Sequence, residues 1–259
     1  MREIIRKVPI PTAGVALGLA ALGNLLQPYT EIVHIVCGIL SLVLIAMLGA
    51  KIALFPDMIR DDLHNSIMAS VSATLFMTLM QLAGYLAPFA YIPAFALWSA
   101  AVVAHLALMG WFTARFISHF KLHEVFPTYF ICYVGIVVAS VTSPTFGMEA
   151  VGHLLFWFGF ACYVVLLGLV TYRYMKHEIP ESARPLFCIY TAPMSLSLVG
   201  YLATAPQPNL VFVLAMLVLA QVLFAVVLSR LPVLLRLRFY PSYAAMTFPF
   251  VITATALGK

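Results

Sequence analysis

Apolar runs alternate with short polar breaks from one end of the chain to the other. Nine runs stand out, at 10–26, 32–54, 66–87, 90–114, 127–143, 150–172, 185–204, 209–229 and 242–257. A helix needs about 20 mostly apolar residues to cross a bilayer. The pattern therefore predicts an all-α polytopic membrane protein, with residues 1–259 forming one transmembrane domain. The spans fall into two kinds. Odd-numbered spans are rich in Gly, Ser, Thr and Pro, as in "PTYFICYVGIVVASVTSP" and "PLFCIYTAPMSLSLVG". Even-numbered spans are longer and richer in Leu, Val and aromatics, as in "HLLFWFGFACYVVLLGLVTYRY".

Four odd spans open on a proline: Pro9, Pro127, Pro185 and Pro241, with gaps of 118, 58 and 56 residues. The first gap is close to twice the others. This predicts helical hairpin repeats of about 58 residues, starting near 9, 66, 127, 185 and 241, the second copy lacking its proline. Proline suits the first turn of a helix, where its missing N–H has no intrahelical partner. Lipid-facing helices can be uniformly bulky. Broken helices survive only where protein or a water-filled cavity surrounds them, and small residues allow close helix packing. The odd helices are therefore expected to form an inner ring around a pore. The even helices form an outer ring, in a quasi-five-fold arrangement. Five hairpins need ten helices, so a tenth is expected and is missing from this sequence.

Aligning the odd helices on their prolines sharpens this. Seven residues on stand Ala16, Val134, Ala192 and Phe248. The second repeat's counterpart lies around Ser72 to Thr74, giving Thr74 as its pore-lining candidate. One residue further stand Gly135, Pro193 and Pro249, expected as helix kinks because a mid-helix proline removes a hydrogen bond. Thr191, Ser195, Thr247 and Thr253 are available to satisfy freed carbonyls. One level of the ring is thus expected to carry small side chains from several helices and one phenylalanine. If that level faces the axis, Phe248 occludes the pore.

Charge then sets orientation. The chain has 14 Lys and Arg against 9 Asp and Glu. Thirteen of those 14 cations lie before the first span or in alternate loops. By the positive-inside rule this places the N-terminus in the cytoplasm. The basic balance is thus a topology signal, and no nucleic-acid partner is expected. Lys51, Arg115, Arg173 and Arg230 end the even spans and are expected to form a basic cytoplasmic rim. The start resembles a signal peptide, but its prolines and the similar spans that follow favour a retained helix.

The inner spans hold no charged residue, which argues against a carboxylate-lined cation path or a buried-acid proton relay. A neutral pore with hydroxyls and helix ends can accept anions. The four cysteines lie in apolar segments without a CxxC pair. The seven histidines sit on outer spans or in loops, and neither a metal site nor a cofactor is expected from them. A membrane redox or metal enzyme built on the histidines is the remote alternative.

"PIPTAGVALGLAALGN" (9–24) resembles the first helix of the tellurite-resistance/dicarboxylate transporter family. That family includes bacterial TehA, fungal malate and sulfite transporters and plant slow anion channels. "PSYAAMTFPFVITATAL" (241–257) resembles its ninth helix, where a Phe before Pro occludes the pore; Phe248 matches. The resemblance implies five hairpins around a pore, commonly in a homotrimer. The expected function is an anion channel or facilitative anion transporter of the inner membrane, with small inorganic or organic anions and membrane lipid as partners. The alternative is a proton-coupled C4-dicarboxylate, tellurite or sulfite transporter of the same fold.

Overall fold

A computed structural model of the chain describes residues 2–259. The first elements are the short α1 (Arg2–Lys7), α2 (Thr12–Leu26), α3 (Glu31–Leu54) and the short α4 (Pro56–Asp62). Next come α5 (Ser66–Val71), α6 (Ala73–Leu86), α7 (Tyr91–Phe112), α8 (Thr128–Tyr133) and α9 (Val137–Thr142). The last are α10 (Glu149–Lys176), α11 (Ala192–Thr204), α12 (Leu210–Leu234) and α13 (Phe248–Leu257). Two 3₁₀ segments, Glu181–Thr191 and Pro241–Met246, lead into α11 and α13.

The two kinds of span fold differently. α3, α7, α10 and α12 are long and unbroken, because Leu, Val and aromatic runs contain no strong helix breaker until their ends. Three of the four remaining multi-part spans break in mid-membrane: α5–α6 near Ser72, α8–α9 near Gly135, and the fifth at Thr247. The fourth passes from 3₁₀ to α-helix at Thr191–Ala192. Burial sorts them as expected. The apolar window of α12 is 17% buried and that of α3 28%, against 83% for Glu181–Thr204. Long helices therefore offer their sides to lipid, and broken ones lie inside.

Neighbour relations agree with that sorting. α2 packs on α6, α6 on α9, α9 on α11, α11 on α13, and α13 back on α2. The five inner spans thus contact one another in a closed circuit. α3 lies against α2 and α6, α7 against α6 and α8, α10 against α9 and α11, and α12 against α11 and α13. Each long helix covers the seam between two inner neighbours.

The breaks have local causes. Gly135 donates its N–H to the carbonyl of Phe130, five residues back, at 3.1 Å. A Cβ there would collide with the Ile131 carbonyl and approach Met77 Sδ to 2.7 Å. Only glycine allows this turn. Pro193 and Pro249 act otherwise than as mid-helix kinks. Each lies in the first turn of an α-helix, second residue of α11 and α13 respectively. Proline fits there because its missing N–H would be unpaired anyway. The expected interior kink is therefore a change of helix type or a fresh start. The hydroxyls assist: Ser195 Oγ donates to Thr191 O at 2.9 Å, and Thr253 Oγ1 to Pro249 O at 2.9 Å.

Candidate functional site

The inner spans enclose a cavity of about 240 Å³. Asn65, Ser182, Tyr240 and Ser242 line it at the end where the basic loops lie. Its walls follow a period of three: Pro11, Gly14 and Leu17; Met68, Val71, Thr74 and Met77; Ile131 and Val134; Ala183, Leu186, Ile189 and Ala192; Ser242, Ala245 and Phe248. A 3₁₀ helix has three residues per turn, so positions i and i+3 eclipse and keep one stripe on the axis. The 11 residues of Glu181–Thr191 make an unusually long 3₁₀ run. Their stripe is what the cavity needs.

A second cavity, of about 200 Å³, continues along the same spans towards the other end. Ala21, Asn24, Gln81, Val141, Val199, Ile252, Thr255 and the charged Lys259 line it, and it shares no lining residue with the first. The step between them is one turn: Leu17 to Ala21, Met77 to Gln81, Leu196 to Val199, Phe248 to Ile252. Phe248 is the only aromatic side chain at this step and is 5% exposed. Its backbone is wedged against α2. Thr247 Oγ1 donates to Gly14 O at 3.0 Å, and Gly18 leaves room for Thr247 and Phe248.

The cavity gathers most of the sequence-derived candidates. Phe248, Val134, Ala192, Thr74, Gly135, Pro193 and Pro249 all line it. Ala16 does not. It is fully buried beside Ile45 and Leu48, and its carbonyl accepts from Ser41 Oγ at 2.8 Å. Leu17, one residue on, takes the place. α2 is α-helical from Thr12, whereas the fourth and fifth inner spans reach this level as 3₁₀ turns, so equal residue counts do not reach equal positions.

The cationic rim also needs correction, since none of the four cations lines the cavity. Lys51 is buried and donates to Val8 O at 2.8 Å, with the Asp62 carboxylate at 3.7 Å. Arg173 is buried, stacked on Phe126 with its guanidinium carbon 4.3 Å from the ring centre, and donates to His123 O at 3.1 Å. Arg115 and Arg230 are exposed. Long cationic stems lie along apolar surface and take carbonyl partners where loops supply them.

Two of the histidines are held by single neighbours, while His64, His123 and His177 border a separate cavity. His34 stacks on Tyr85 at 4.0 Å, and His105 Nε2 lies 2.8 Å from Cys132 O. Among the described residues no three His, Cys, Asp or Glu side chains gather as a metal site. One polar pair escaped the sequence reading. Asn24 Nδ2 donates to Gln81 Oε1 at 2.6 Å across α2 and α6, in the second cavity. The 57-residue separation, one repeat period, was the available signal. The same spacing recurs: Ser70 bonds Thr128, and Ser195 bonds Thr253, each 58 residues apart.

Two cavities thus lie along one set of inner helices, the first with uncharged walls, and a buried phenylalanine stands where they part. A comparison with curated proteins finds no match. A family model described as SLAC1, voltage-dependent anion channel, matches residues 7–259. That match spans all the inner segments that line the two cavities, and the chain belongs to the SLAC1 family of voltage-dependent anion channels.

Proposed function

We propose that the two cavities are the halves of one anion pathway, and that Phe248 is the gate between them. The observation that carries this reading is a pair of cavities lined by the same five inner spans with no residue in common, parted where Phe248 is buried. The last helix break supports an anionic cargo. α13 starts afresh after Thr247 with Phe248 on the first cavity, whereas α11 continues a 3₁₀ segment and its Ala192 N–H is already bonded to Ile189 O. The start of a helix carries partial positive charge from unpaired N–H groups. A neutral first cavity that ends at the start of α13 favours anions without fixing one tightly.

In this reading the basic end is cytoplasmic, in the inner membrane. The five hairpins are copies of one unit in quasi-five-fold array. Hydrogen bonds 57 or 58 residues apart support this, because they join equivalent positions of neighbours. The resemblance adds a homotrimer, each chain with its own path. A proton-coupled C4-dicarboxylate, tellurite or sulfite carrier finds less support. The first cavity's lining includes no carboxylate, imidazole, lysine or arginine to relay a proton or clamp a dianion.

Anion flux into liposomes, measured beside anion-substitution electrophysiology, tests the gate. Replacing Phe248 by Ala is expected to raise flux at least about tenfold, equal to about 1.4 kcal/mol off the barrier. Unchanged flux in a folded variant would overturn the gate. Reversal potentials that follow a proton gradient would favour the carrier instead.

A further inference from the structure

A separate cavity of about 500 Å³ lies at the basic end, bordered by Arg173, His64, His123 and His177. We propose that it is a binding site for a small oxyanion of the phosphate or carboxylate type, outside the permeation path. Arg173 carries the argument. It is 2% exposed, and its Nε and Nη1 have no hydrogen-bond partner. Among the described residues it makes no ion pair; its partners are the Phe126 and Tyr174 rings and one carbonyl, that of His123. A buried cation with unfilled donors is costly unless an anion or polar partner completes it.

The acids nearby do not complete it. Glu124 is 3.1 Å from Lys121 Nζ and 3.7 Å from His123 Nε2. Glu178 borders the cavity but makes no ion pair with Arg173. Guanidinium groups match oxyanions through several directed N–H bonds, which a halide uses less fully. The imidazoles add donors on one side: the His123 and His177 ring centres are 6.3 Å apart. The cavity volume far exceeds the roughly 30 Å³ share of one water, so an oxyanion with its remaining waters fits.

The site also touches the pathway. Asn65 and Ile67 line both this cavity and the first one. Asn65 holds that corner by accepting from Ile67 N at 2.9 Å and Met68 N at 3.3 Å, which starts α5. An oxyanion on Arg173 therefore stands beside the mouth without entering the gate.

The experiment is calorimetric titration of inorganic phosphate into the full chain in nanodiscs at fixed ionic strength. Wild type is expected to bind saturably. Arg173→Gln, and separately His123→Ala with His177→Ala, should weaken binding about tenfold or more. The two histidines are exposed, so their variant keeps the test valid if Arg173→Gln fails to fold. Phe248→Ala should bind phosphate as wild type does, whatever its flux, which separates this site from the gate. Nanodiscs of phosphatidylglycerol against phosphatidylcholine identify the source. Loss of phosphate binding in the anionic lipid alone means a lipid phosphate fills the same site. No saturable binding in either lipid, or equal binding by all variants, overturns the proposal.

Discussion

Gly18 decides where the phenyl ring can stand. A Cβ on it would come within 2.8 Å of Thr247 Cβ and 2.9 Å of the Phe248 backbone nitrogen. The second neighbour is backbone at the start of α13, so it cannot swing aside as a side chain would. Gly18→Ala is expected to destabilise the fold by about 1–3 kcal/mol, the ordinary range for overpacking, as read from denaturant unfolding in detergent. Gly49 and Gly168 have nothing within 4 Å of the same position. Alanine there should leave stability level or raise it by up to about 1 kcal/mol, since glycine weakens a helix interior. Equal losses at all three sites would contradict this account. Lys51 makes a parallel case. The charge pattern marked it as part of a solvated rim, yet it ties the N-terminal Val8 carbonyl to the end of α3. Lys51→Met should cost about 1–3 kcal/mol through the orphaned carbonyl and Asp62. Anion flux per folded protein should stay within about twofold, because the side chain is absent from the cavity lining. Sequence marks that a cation ends a helix; whether its stem turns outward depends on which carbonyl the next loop leaves free.

At the level of elements, the difference between inner and outer spans was legible from composition. Breakers and small residues in the odd spans, and bulky runs in the even ones, forecast both the broken helices and their burial. The type of break was not legible. Mid-span prolines predicted kinks, whereas Pro193 and Pro249 lie where α-helix begins after a 3₁₀ segment or a break. A proline reports that one N–H is missing, not whether the turn before it has three or 3.6 residues. The register of α2 slipped by one residue for a related reason, since α2 is α-helical where the fourth and fifth inner spans are 3₁₀. The stripe of cavity-lining residues at every third position does not separate the cases either, since it occurs on α-helical α2, α5 and α6 as well as on the 3₁₀ segments. First-turn placement gives a sharp expectation for Pro249→Ala. An interior proline strains a helix by about 3 kcal/mol, so removing it would stabilise strongly. A first-turn proline strains nothing, so unfolding should show a change below about 1 kcal/mol. A gain of several kcal/mol would restore the kink.

For the whole molecule, the closed circuit of inner spans sets what can pass. The first cavity is walled mainly by Gly, Ala, Val, Leu, Ile, Met and Pro, with a few hydroxyls and one amide. An anion moving towards Phe248 sheds water and meets helix ends, but no cation replaces that water. The desolvation cost rises steeply with charge and with charge density. Large monovalent anions should therefore pass best: nitrate or iodide ahead of chloride, chloride well ahead of sulfate, and phosphate or dicarboxylates last. Bi-ionic reversal potentials on Phe248→Ala, the variant without the proposed gate, measure this order. Sulfate or malate passing ahead of nitrate would require a cation in the first cavity, whose lining holds none; Lys259 lies at the second cavity, beyond Phe248. The oxyanion site at Arg173 makes the expectation stricter. There a buried guanidinium offers the charge that the pathway lacks, so phosphate should bind at the mouth while permeating least. Opposite orders for binding and for permeation would follow from charge in the wall of one cavity and its absence from the other, two chambers that share Asn65 and Ile67.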